Sequence, residues 1–143
     1  MEGKIMSKLM IFLMENPAAS IETEELIISS RLKDDEGNLL KAKIKPMTSK
    51  EYNRYQKDST KIGKKGSVSF DSNEYQMNVI INHTVDPDFR DATTISQAEV
   101  VTPEQLVNKL LLPGEVNELA KGIQQISGFD DSIDELRDQA KKS

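Results

Sequence analysis

With 143 residues, no cysteine and a single histidine, the chain has no means of forming a disulfide, a thiolate metal site or a cysteine nucleophile. Apolar residues make up 36% and charged residues 30%, with a formal net charge of −5. This is the composition of one well-solvated domain over 1–143, long enough to bury a core. The charge is uneven. Residues 1–70 hold 13 Lys/Arg against 10 Asp/Glu, residues 71–143 hold 6 against 14, and 41–65 alone carries nine basic and two acidic residues. Such polarity steers partners.

The first predicted element is an amphipathic helix over 5–15. Met6, Met10 and Met14 recur at four-residue steps with Leu9 and Leu13 beside them, and Pro17 ends the pattern. The uninterrupted apolar run, Leu9 to Met14, is six residues. A membrane-spanning helix needs about 20 residues, and a secretory core about 7–15 after a basic flank. A soluble cytoplasmic protein is therefore expected. A helix of about eleven residues is marginal alone. Five such side chains, fully buried, contribute roughly 10 kcal/mol at about 2 each. The stripe therefore belongs in the domain's own core, in an oligomer, or against a client. Methionine suits all three, because it fills irregular gaps and lines adaptable binding surfaces.

A β-hairpin is predicted over about 25–47. Leu26, Ile28 and Leu32 alternate with Ile27, Ser29 and Arg31, and Leu40, Ala42 and Ile44 alternate with Lys41, Lys43 and Lys45. "DDEGN" (34–38) supplies the turn. The lysines share the solvated face, and helices must cover the apolar one.

A bundle of four to five helices is predicted to follow. Thr48-x-x-Glu51 is a capping box that opens a helix bearing Tyr52 and Tyr55. "KIGKKGSVSF" (61–70) reads as a loop or short hairpin. Asp71-x-x-Glu74 caps a helix carrying Tyr75, Val79, Ile80 and His83, and "DPDFRD" (86–91) is a loop. Thr102-Pro103 starts a helix with Leu106, Val107, Leu110 and Leu111 inward. "LPGE" (112–115) ends it and opens another through Ile126, where Gly128 suits a left-handed cap and Phe129 folds back onto Ile123. Ser132 opens a last polar helix or tail with Ile133, Leu136 and Ala140 as a thin stripe.

Catalytic patterns are missing. His83, Asp86 and Asp88 form H-x-x-D-x-D, only three local ligands for a metal. The loop after Asp86 departs from a calcium-binding loop, with Asp91 where glycine is required. "GKKGS" (63–67) lacks the spacing of a phosphate loop. Tyr52 and Tyr55 within the basic segment 41–65 suggest base stacking, but a pI of 5.0 opposes nucleic-acid binding.

In order, "KDDEGN" (33–38), "IKPMT" (44–48), "DPDFRDA" (86–92), "LLLPGE" (110–115) and "ISGFDD" (126–131) resemble the XkdN-like tail assembly chaperones of long-tailed phages and prophages. The likeness runs from about Phe12 to Ala140. These are turn, cap and core residues, and none is catalytic. The resemblance implies a non-enzymatic protein that keeps the apolar, helical tape measure protein soluble while tail tube subunits polymerise around it, and that is absent from the mature virion. It implies the tape measure and tail tube proteins as partners, with self-association a further expectation, and no cofactor, metal, nucleic acid or membrane. The family carries over no contact residues. The residues themselves nominate Met6, Leu9, Met10, Leu13 and Met14 for client binding, and Lys41, Lys43 and Lys45 as an electrostatic partner surface. The expected fold is α+β, predominantly helical. The rival readings are a structural or tail-completion subunit of the phage tail and a small nucleic-acid-binding regulator using 41–65.

Overall fold

The computed structural model describes residues 5–129 and 132–142. The fold is α+β and predominantly helical, as the sequence predicts. It begins with α1 (Lys8–Glu15). The Ser7 hydroxyl accepts the Met10 N–H at 3.1 Å, so the helix starts two turns before Glu15 and leaves Ile5 and Met6 outside it. At the other end the Asn16 side chain donates to the Phe12 carbonyl at 3.0 Å, and Pro17 leads the chain away. A three-residue turn, Ala18–Ser20, is the only ordered piece between α1 and the body among the described residues.

The hairpin pairs β1 (Glu24–Leu26) with β2 (Ala42–Ile44), antiparallel, Glu24 opposite Ile44 and Leu26 opposite Ala42. The pairing then slips. Leu40 donates to the Leu32 carbonyl at 2.8 Å, so residues 27–31 bulge out opposite Lys41 alone. Asp34 closes the turn, its carboxylate accepting the N–H groups of Glu36 and Asn38 at 2.9 Å each, while Gly37 supplies the positive φ of 86°. Burial alternates along β2 as expected, with Ala42 and Ile44 inside and Lys43 outside.

α2 (Ser49–Ser59) has the full capping box, with Thr48 and Glu51 exchanging hydrogen bonds. The basic segment after it is a two-stranded ribbon, β3 (Thr60–Ile62) against β4 (Val68–Phe70), exposed on every residue. α3 (Ser72–His83) starts at the Asp71 cap.

Beyond α3 the structure holds two elements that the sequence pattern does not reveal. β5 (Thr84–Asp86) joins the edge of β2, completing a sheet in the order β1-β2-β5. α4 (Ala92–Gln97) follows the Asp91 cap. α5 (Pro103–Leu110) and α6 (Pro113–Ile126) each start on proline at the first helical position. α6 ends in a Schellman motif, the Phe129 N–H reaching the Gln124 carbonyl and the Gly128 N–H reaching Gln125. The Phe129 ring has an aromatic partner beyond its own helix. It lies 5.1 Å from the Tyr52 ring, which also meets Tyr75 edge-on at 6.1 Å. α7 (Ser132–Lys142) is helical as expected, and residues 134–141 are all exposed. The Ile133 side chain lies outside the described residues.

The core sits between α3, α5, α6 and the inner face of the sheet. Ile44, Tyr55, Val79, Ile80, Phe89, Leu106, Val107, Leu119 and Ile123 are sealed in it. The sheet can approach α6 because Gly122 has no side chain. A Cβ there would overlap the Leu26 Cδ2 methyl and stand 3.3 Å from Ile44 Cδ1.

Candidate client-binding helix

α1 has no buried residue. Its six consecutive apolar side chains range in exposure from 42% at Ile11 to 67% at Leu9. Met6 precedes the helix and is half-exposed, and Ile5 stands almost wholly in solvent. A helix that is apolar on all sides is ordinarily buried. A contiguous exposed apolar patch of this kind marks an interaction surface. Of the three places the stripe was expected to go, its own core is excluded. Met6, Leu9, Met10, Leu13 and Met14 are brought together on one short projecting element, and Ile11 and Phe12 join them. The uninterrupted run Leu9–Met14 carried the signal for these two, which a search for a single stripe passes over.

The three nominated lysines are all exposed, on a face that is not purely basic. Lys43 on the central strand is paired with Glu25 on one side and Asp86 on the other. The Lys41 ammonium lies 3.9 Å from the Glu25 carboxylate. Cross-strand acids thus offset part of the positive field. The two tyrosines of the basic segment do not form a stacking surface. Tyr55 is sealed in the core, and Tyr52 is half-buried between Tyr75 and Phe129.

The single histidine is also inside. His83 Nε2 shares a 2.8 Å hydrogen bond with the Tyr55 hydroxyl, and Glu51 stands 3.9 Å away. Burial lowers the His83 pKa, with Lys45 acting in the same direction and Glu51 opposing it. Asp86 and Asp88 remain on the surface, so the H-x-x-D-x-D residues are dispersed. Among the described residues no three His, Asp or Glu side chains converge as a metal site would require. No described helix is long and apolar enough to cross a membrane.

Known proteins share both the sequence and the fold. The model of the phage XkdN-like tail assembly chaperone family matches residues 9–141. The phage-like element PBSX protein XkdN of Bacillus subtilis (strain 168) is 30% identical over 133 residues, covering 87% of this chain and 89% of that one. The protein YqbN of the same organism is 29% identical with the same coverage. A crystal structure of YqbN superposes with a TM-score of 0.66 at 23% identity, covering 89% of this chain and 100% of that one, which shows a shared fold. With matched residues that run from the second residue of α1 almost to the end of α7, the chain belongs to the phage XkdN-like tail assembly chaperone family.

Proposed function

We propose that this chain is a non-enzymatic chaperone that holds the tape measure protein through α1 and helps to bring tail tube subunits to it, in the host cytoplasm, leaving before the virion is complete. The observation that carries the reading is that α1, with six consecutive apolar residues, has no buried side chain. A long apolar helical client exposes ridges of varied shape. Unbranched methionines adapt to such ridges at small conformational cost, and leucine and phenylalanine add contact area. Lys43 on β2, with Lys41 and Lys45 flanking it, then meets acidic segments of a partner and favours encounter over tight holding.

Co-expression with the tape measure protein tests this. With the wild-type chain the tape measure is expected in the soluble fraction, and with the double variant Met10→Asp/Leu13→Asp in the pellet. Equal solubility with wild type, variant or no chaperone would remove the reading. A stoichiometric amount of the chain in purified virions would point instead to a structural subunit.

A further inference from the structure

The body carries an apolar groove of about 310 Å³ between the hairpin and the α5–α6 corner. Buried Phe89 and Leu119 line its floor, and half-exposed Leu40 and Leu110 line its lips. We propose that this groove receives α1 of a second copy of the chain, so that two copies exchange their N-terminal helices reciprocally.

Three observations converge on this occupant. The helix is apolar all round and finds no cover in its own chain. Capped by Ser7 and Asn16 and followed by Pro17, it is a self-contained element with no buried residue. Its end charges run against its own dipole. Lys8 lies in the first turn and Glu15 in the last, and α1 has no acid at its start and no base at its end. The groove lining carries the complementary charges, the exposed Lys41 and Asp86, while Arg31 there is held by Glu115. Glu15 then faces Lys41 and Lys8 faces Asp86. The exposed tether 16–23 spans roughly 26–29 Å when extended, which gives the helix reach beyond its own body. A two-fold arrangement fills both grooves with one kind of contact. The exchange uses the helix proposed for the client but a different receiving surface, so storage in the dimer and delivery to the client exclude each other.

Light scattering on the full-length chain over a dilution series tests it. The mass is expected to rise from 16.1 kDa toward twice that value at high micromolar concentration. Leu40→Asp, which fouls the groove, and Met10→Asp, which fouls the helix, should each remain monomeric with an unchanged circular dichroism spectrum. A mixture of the two should form a heterodimer by native mass spectrometry, one chain lending its helix and the other its groove. Leu110→Asp serves as a second groove variant. A wild-type chain that stays monomeric, groove variants that dimerise like wild type, or a mixture that fails to pair would each overturn the proposal. Leu40→Asp keeps the client-holding helix, so it should still solubilise the tape measure. Loss of dimerisation alone and loss of client holding are thereby told apart.

Discussion

Arg31 grips Glu115 with a two-pronged hydrogen bond across 84 positions of sequence, Nε donating to Oε2 at 2.8 Å and Nη2 donating to Oε1 at 2.7 Å. The pair ties the bulge of the hairpin to the start of α6, where the same carboxylate accepts the Leu112 N–H at 2.8 Å. Its two members differ in burial, since Glu115 is 3% exposed and the Arg31 side chain 48%. Removing the arginine strands a carboxylate inside the protein, whereas removing the acid frees a guanidinium that water can solvate. Arg31→Ala is therefore expected to lower the urea midpoint more than Glu115→Gln does. The Arg31 hydrogen bond holds the Glu115 carboxyl down at about 2, from an ordinary 4.5. A depressed acid stabilises the fold above the unfolded value. That contribution should fade as pH falls from 4.5 toward 2, and the Arg31→Ala variant should lose much of this pH dependence.

His83 gives a second test of the same sign at milder pH. Burial lowers its pKa below the ordinary 6.5, so the ring is neutral in the fold and takes up a proton on unfolding. Stability is expected to be full above pH 6.5 and to decline as pH drops below it, a decline that His83→Phe should flatten. Tyr55→Phe leaves His83 Nε2 without its hydroxyl partner and should cost about 1–3 kcal/mol by urea denaturation.

Gly122 reverses a propensity rule. Replacing an interior helical glycine by alanine ordinarily gains about 1 kcal/mol. Here the new methyl group overlaps Leu26 and crowds Ile44. Gly122→Ala should therefore destabilise, by about 1–3 kcal/mol as overpacked cores do. Adding Leu26→Ala to the same chain should recover part of the loss, a coupling that a double-mutant cycle reads directly.

The charge substitutions in α1 should leave the body intact. Because no residue of the helix is buried, Met10→Asp/Leu13→Asp is expected to shift the stability of the folded domain by no more than about 0.5 kcal/mol. Thermal or urea unfolding of the isolated chain checks this, and it shows that any loss of client handling is not a folding defect.

Much of this architecture was legible because local chemistry and tertiary packing agree. Thr48 with Glu51, Asp71, and Thr102 with Pro103 each announce a helix start that the structure confirms. Gly128 announces a stop, the turn at 34–38 fixes the hairpin, and the alternation of Ala42, Lys43 and Ile44 fixes its inner face. β5 escaped because three residues are too few to show alternation, and because Val79-Ile80-Ile81 lead straight into it from a helix. The slip at residues 27–31 was hidden as well. Leu26, Ile28 and Leu32 keep the parity of a regular strand, yet the chain leaves the ladder between them and returns at Leu32. Phe129 also meets Tyr52, a long-range contact that spacing cannot encode. The apolar run from Leu9 to Met14 was legible in the sequence itself. Whether that run was core or surface depended on the rest of the body, where seventeen buried apolar residues among those described form a core without it.

The most direct measurement places a photo-crosslinking residue at position 10 of α1 in the full-length chain, and in a control at Lys50 on the exposed side of α2. Each is irradiated in cells that also make the tape measure protein. The expected result is an adduct with the tape measure from position 10 and none from position 50. A tape measure kept soluble by the chain, yet joined only through position 50, would contradict the assignment of α1 as the surface that holds it.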